Sequence, residues 1–188
     1  LGKYPAWARE RFGEQLYPMT EEEWALVSQP LDFYAYNCYQ GTVDFAADPA
    51  GYDDYGYQGC PKTANGWNIT PQVLYYASKF WFQRYGLPIL ITENGCAQQD
   101  FVMLDGKVHD PQRIDFLHRY LRGLARAVDE GVPVLGYSYW SLFDNFEWAA
   151  GYDIRFGLIH VDYATQRRTL KDSALWYRDV IAANGINL

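Results

Sequence analysis

The chain has 188 residues, of which 49% are hydrophobic, enough for a single domain with a sizeable core. A formal net charge of −7 argues against nucleic acid or an anionic membrane surface as a partner. No apolar stretch is long enough to span a bilayer and none reads as a signal peptide, while 7 Trp and 17 Tyr exceed what packing needs and suit the stacking of sugar rings.

In chain order, Tyr4-Pro5 to Phe12 and Thr20 to Val27 predict two short scaffold helices, the second opened by a capping box between Thr20 and Glu23. Asp32 to Tyr39 is an aromatic-rich strand whose last residues turn polar. From Gln40 to Asn65 the sequence is rich in Gly, Asp and Tyr without periodicity, which predicts a long loop leaving the first strand on the functional face. Its Tyr52, Tyr55 and Tyr57 either stack on a ligand or decorate a surface loop. The sequon Asn68-Ile69-Thr70 is followed by Pro71 and carries little weight. Gln72 to Tyr85 reads as a helix, and Pro88 to Thr92 as a parallel strand covered on both faces. Asp110 to Glu130 is a second long helix, with Asp110 as N-cap, Pro111 at the first helical position and Gly131 after its end. Val134 to Ser141 is a third strand, and Lys171 to Asn184 a last helix closed by Gly185.

Successive strand and helix units of this kind give parallel strands joined by right-handed crossovers, so every strand end points to one face. Asn37, Tyr39, Glu93 and Trp140 therefore converge where barrels and doubly wound sheets bind ligands. Three strands bury less than a closed barrel and leave two edges. The chain thus reads as part of something larger, and it begins at Leu1, as a trimmed or cleaved chain does.

Two segments carry chemistry. In Ile89-Leu90-Ile91-Thr92-Glu93-Asn94-Gly95 an apolar run ends on a carboxylate, where charge is costly unless it has a chemical task or a close partner. The bland alternative is an Asn-Gly turn with Glu93 solvated at its edge. In Trp140-Ser141-Leu142-Phe143-Asp144-Asn145-Phe146-Glu147-Trp148 two Trp flank a Glu, so one ring can stack under a pyranose while the carboxylate accepts from adjacent hydroxyls. The alternative there is a buried aromatic corner with Glu147 paired to Arg155.

These segments, with Gly151-Tyr152 to Arg155-Phe156-Gly157-Leu158 and Lys171-Asp172-Ser173-Ala174, resemble glycoside hydrolase family 1, the β-glucosidase family. The resemblance extends upstream through Gly2-Lys3-Tyr4-Pro5, Asp32-Phe33, Asn37-Cys38-Tyr39 and Gly66-Trp67-Asn68-Ile69-Thr70-Pro71, in the order of the family's C-terminal two-fifths. It implies an α/β fold, a (β/α)8 TIM barrel of which residues 1–188 supply the last three βα units, strands six to eight. It implies Glu93 as catalytic nucleophile, Tyr39 as the residue that orients it, and Asn37 nearby. Trp140 resembles the platform beneath the sugar, Glu147 and Trp148 the ligands of its outer hydroxyls, and Phe156 a wall of the same subsite. Trp67 and the Tyr-rich loop are expected toward the entrance.

The implied reaction is retaining hydrolysis of β-D-glucosides or short β-linked oligosaccharides, with β-galactosides and β-fucosides as close alternatives. It needs two carboxyl groups about 5–5.5 Å apart, one ionised to attack and one protonated to assist departure. A phenol such as Tyr39 suits the first because it donates to a carboxylate. The family's acid/base Glu lies in an Asn-Glu-Pro segment, and no such tripeptide occurs here. The expected partner is thus the missing N-terminal part of the barrel or another copy of the chain. The alternative function is a catalytically weak sugar-binding or self-associating half-barrel. Glu147-Trp148-Ala149 replaces the cationic ligands that phospho-sugar enzymes need, which points to an unphosphorylated sugar. No cofactor is implied, and His109, His118 and His160 show no ligand spacing. Cys38, Cys60 and Cys96, odd in number and without metal or redox spacing, read as reduced thiols of a cytoplasmic protein.

Overall fold

The computed structural model describes residues 3–41 and 59–188, so Tyr52, Tyr55 and Tyr57 lie outside the described residues. The chain divides into two compact units at Asp32. In the first, α1 (Ala6–Phe12) starts after Pro5, and α2 (Glu21–Val27) follows a short 3-10 turn. The capping box forms in full: the Glu23 N–H donates to Thr20 Oγ1 at 3.2 Å and the Thr20 N–H to Glu23 Oε2 at 2.8 Å. These contacts satisfy two of the orphan donors at the helix start. The Thr20 amide, and then the Tyr17 phenol, hold the Glu23 carboxyl below its usual range. Tyr4 packs edge-on against Trp24, ring centres 5.0 Å apart.

The second unit begins with β1 (Tyr34–Asn37), α3 (Val73–Tyr85), β2 (Ile89–Asn94), α4 (Pro111–Asp129) and β3 (Val134–Tyr139). The three strands form one parallel sheet in the order β1-β2-β3, with α3 and α4 as crossovers. Gly86 ends α3 in the left-handed region at φ 67°, a backbone conformation that suits a residue without Cβ. After β3 come β4 (Ile159–Val161) and β5 (Arg168–Leu170), an antiparallel pair, and then α5 (Asp172–Ala182). Strands one and three are shorter at their ends than the sequence predicts, and the β4–β5 pair is not anticipated by it.

Alternation along the strands divides the sheet. Ile89, Ile91, Tyr34, Tyr36, Val134 and Tyr137 pack with Leu74, Phe116, Tyr120 and Leu124 of the helices. On the other face Ala35, Asn37 and Ser138 are exposed and Leu135 is 59% exposed. Crossovers of one hand place both helices on the same side; the strand expected to be covered on both faces, β2, has no exposed residue, and the exposed positions of the other face lie on β1 and β3. Among the described residues, β1 and β3 each keep one edge without a partner strand.

One smaller reading changes, and one gains support. Asp110 occupies the N-cap of α4, but its side chain caps nothing in that helix; it accepts from the Ser173 N–H at 2.8 Å and the Ser173 hydroxyl at 2.5 Å. Asn68 of the sequon is buried at 4% exposure, with its N–H donating to Gln40 Oε1 at 2.8 Å.

Candidate active site

Glu93 is the penultimate residue of β2, and the register sets it beside Asn37 at the end of β1. The ladder continues one step further, where the Cys38 N–H donates to the Glu93 carbonyl at 2.8 Å. Tyr39 is thereby carried alongside, and its phenol donates to Glu93 Oε2 at 2.7 Å. Burial raises the Tyr39 phenol well above its ordinary range, and the Glu93 and then the Glu147 carboxylates raise it further. The phenol is consequently a standing donor at neutral pH. Asn37 does not join this contact: it is exposed on the open face and accepts from the Thr92 hydroxyl at 2.7 Å.

β3 delivers the second half of the site. The Trp140 N–H donates to the Asn94 carbonyl at 2.8 Å, prolonging the β2–β3 ladder past Tyr139. Here the backbones come so close that a Cβ on Gly95 would lie 1.9 Å from the Trp140 carbonyl oxygen, so only glycine fits. The Trp140–Ser141 peptide is cis. The Trp140 indole N–H donates to Glu147 Oε1 at 3.0 Å. Glu147 is 8% exposed, and its N–H donates to the Gly151 carbonyl at 2.7 Å across a 3-10 turn that starts at Trp148. Trp148 itself is 86% exposed at φ 47°.

Aromatic rings close the remaining side. Phe156, 2% exposed, meets Tyr39 edge-on at 6.2 Å between centres and lies 6.0 Å from Trp67. Trp67 packs on Tyr39 at 5.1 Å. Tyr39, Glu93, Trp67, Phe156, Trp140 and Glu147 thus gather at one end of the sheet.

The alternative partner for Glu147 is not found, because Arg155 donates to Asp144 Oδ2 at 2.6 Å and to the Val161 carbonyl at 2.9 Å. That ion pair belongs to a buried network that sequence reasoning missed. Lys171 Nζ lies 2.6 Å from Asp100 and 2.8 Å from Asp144; Arg113 contacts Asp100 at 2.6 Å and also Asp110. Three carboxylates thereby meet three cations, and the set joins the segment after β2 and the start of α4 to the Glu147 loop and the start of α5. Burial pushes the Asp100 carboxyl up, but Arg113 and Lys171 outweigh it and bring the group below its ordinary value. Burial, then Arg113, depress the Lys171 ammonium. The sequence carried no local signal for it, because Lys171 stands among Arg168, Thr169, Asp172 and Ser173, a polar neighbourhood.

The sequence model of glycosyl hydrolase family 1 matches residues 1–186. The chain belongs to this family. Among its relatives are Beta-glucosidase A of Thermotoga maritima, 42% identical over 98% of this chain and 42% of the relative, and a bifunctional beta-D-glucosidase/beta-D-fucosidase of Bifidobacterium breve, 40% identical over 93% of this chain and 44% of the relative. The solved structure of the Thermotoga maritima β-glucosidase in complex with noeuromycin matches at a TM-score of 0.85 and 41% identity, over 98% of this chain and 42% of that one. The chain therefore spans about two-fifths of the length of the family members it matches. Its parallel sheet with helices on one side is a portion of the family's TIM barrel.

Among the described residues no group of three His, Cys, Asp or Glu could hold a metal ion. His109 bridges two carboxylates, Asp172 at 2.5 Å and Asp105 at 3.0 Å. His160 lies buried in β4. Burial, the largest influence, and then Arg155 push its imidazole down. Burial pushes the Cys38 and Cys96 thiols up to about 11, which leaves both as unreactive thiols. No helix of the described residues is long and apolar enough to cross a membrane.

Proposed function

We propose that this chain is the nucleophile-bearing, sugar-binding part of a retaining β-glycosidase that acts on β-D-glucosides, with β-fucosides and β-galactosides as further substrates. One observation carries the reading: a carboxylate at a strand end, Glu93, receives a phenol hydrogen bond at 2.7 Å beside a second carboxylate, Glu147, that receives an indole N–H at 3.0 Å. In this reading residues 1–188 are the C-terminal part of one barrel domain and contribute its sixth, seventh and eighth strands. The names of the relatives, β-glucosidases and a β-glucosidase/β-fucosidase, support the substrate class.

Glu93 attacks the anomeric carbon and forms a glycosyl ester, Tyr39 holding the carboxylate in line. The oxocarbenium-like transition state is stabilised by the adjacent anion. Trp140 lies beneath the ring, Glu147 and Trp148 bind its outer hydroxyls, and Phe156 walls the same subsite. Trp67 and Asn37 complete the lining. Water then hydrolyses the ester. The acid/base carboxyl comes from outside this chain, since no Asn-Glu-Pro occurs in it. Remaining barrel strands, on a longer polypeptide or another copy, cover the open face of the sheet. The free thiols Cys38, Cys60 and Cys96 agree with a cytoplasmic setting.

The test is covalent trapping. Incubation with a 2-deoxy-2-fluoro-β-glucosyl inactivator followed by peptide mass mapping is expected to place one fluoroglucosyl group on Glu93 and none on the Glu93→Gln variant. Labelling of another residue, or unchanged labelling in the variant, defeats the assignment.

A further inference from the structure

Glu93 is fixed by its place in β2, but its donor is not: Tyr39 lies two residues past the end of β1. Beyond the last ladder bond, at the Cys38 N–H, its backbone is held by two side chains on two consecutive carbonyls. Asn94 Nδ2 donates to the Cys38 carbonyl at 2.7 Å, and the Tyr120 phenol donates to the Tyr39 carbonyl at 3.2 Å. Both side chains are fully buried, and each is fixed from behind. The Tyr137 phenol donates to Asn94 Oδ1 at 2.6 Å, while the Tyr120 oxygen accepts from the Thr70 N–H at 2.8 Å.

We propose that Tyr120 and Asn94 are positioning residues, which hold the Cys38 and Tyr39 carbonyls so that the Tyr39 phenol meets Glu93. The inference rests on the reading of Glu93 as nucleophile. Core packing accounts for the Tyr120 ring, which stacks on Phe116 at 3.9 Å between centres. It does not account for the hydroxyl, because Phe fills the same space and a buried hydroxyl is retained only with partners. Those partners are two backbone groups that flank the loop leaving β1, Tyr39 on one side and Thr70 on the other. Burial pushes the Tyr120 phenol up to about 12, so it stays a donor. A small rotation at Tyr39, amplified along its side chain, takes the phenol oxygen out of hydrogen-bond range of Glu93.

The test uses the rate of labelling of Glu93 by 2,4-dinitrophenyl 2-deoxy-2-fluoro-β-glucoside. A Glu93 oxygen bonds to C1 as the C1–O bond breaks, and its electron pair leaves on dinitrophenolate, which needs no proton from the protein. Tyr120→Phe is expected to slow labelling about three- to tenfold, the size of one hydrogen bond. Tyr39→Phe slows it as well, and the double variant is no slower than Tyr39→Phe, because Tyr120 acts through Tyr39. Tyr137→Phe, which loosens Asn94 from behind, shows the same masking and serves if Tyr120→Phe fails to fold. A wild-type rate in folded Tyr120→Phe, or losses that multiply in the double variants, overturns the proposal. If the unmodified protein is not labelled at Glu93, the nucleophile assignment falls and this inference falls with it.

Discussion

Lys171 Nζ lies 2.8 Å from Asp144 Oδ1, and both side chains are fully shielded from solvent. Asp144 also accepts from Arg155 at 2.6 Å and from the Gly157 N–H at 3.0 Å, so one carboxylate organises the loop that runs from Trp140 past Glu147 to Phe156. Gly157 approaches so closely that a Cβ there would lie 2.2 Å from the Asp144 nitrogen. The Glu147 loop therefore owes its shape to ion pairs beneath it as well as to its own turn.

Removing one member of this balanced set leaves a buried charge without a partner. Lys171→Met is expected to lower unfolding stability by about 3–5 kcal/mol, read as the shift in urea midpoint at unchanged slope. Adding Asp100→Asn restores the charge balance and recovers part of the loss. A single variant as stable as the parent means that the network is solvated in solution.

His109 gives stability a pH dependence of known sign. Hydrogen bonds donated to Asp172 first, and to Asp105 second, raise its imidazole above the usual value. The clasp is fully present below the unfolded value of about 6.5, and its contribution is lost as pH rises through the raised folded value. The melting temperature of the parent should therefore fall relative to that of His109→Gln as pH is raised through and above neutrality, in scans at constant ionic strength. Parallel curves for the two proteins would remove the clasp.

The strands were legible because an apolar run that stops on polar residues has a local signature, although β1 and β3 each end two residues before the predicted limit. Helix boundaries were legible for the same reason: Thr20 with Glu23, and Pro111 after Asp110, act on their own neighbours. The ion network was not, because Lys171 meets partners 71 and 27 residues away, and each charge alone reads as surface. Asp110 shows the limit well: its N-cap position is a local fact, but its side chain serves Ser173, 63 residues on. The β4–β5 pair rests on two three-residue strands, too short for alternation to register. Leu135, in a strand that reads as apolar, is exposed because it lies on the face opposite the crossover helices.

Glu147 accepts the Trp140 indole N–H and, in the proposed site, also binds sugar hydroxyls. Glu147→Gln keeps the size but removes the charge that strengthens those bonds. Affinity for a glucose-shaped iminosugar is expected to drop about 10- to 100-fold by titration calorimetry, the range for hydrogen bonds to a charged group. An unchanged affinity places the sugar elsewhere.

Leaving-group chemistry separates a missing acid from a missing nucleophile. In the proposed reading the chain supplies Glu93 but, having no Asn-Glu-Pro, no acid to assist a poor leaving group. On an ordinary aryl β-glucoside the isolated chain is expected to turn over about 10²–10⁴-fold more slowly than a full-length relative, the usual worth of general acid catalysis. On a dinitrophenyl glucoside, whose leaving group needs no proton, the first step should approach the relative's rate and produce a burst of phenolate. The burst arises because hydrolysis of the glycosyl ester then lacks its general base. Equal deficits on both substrates, without a burst, mean that the attack itself is impaired. The fault then lies in the Tyr39–Glu93 geometry or in the uncovered sheet face.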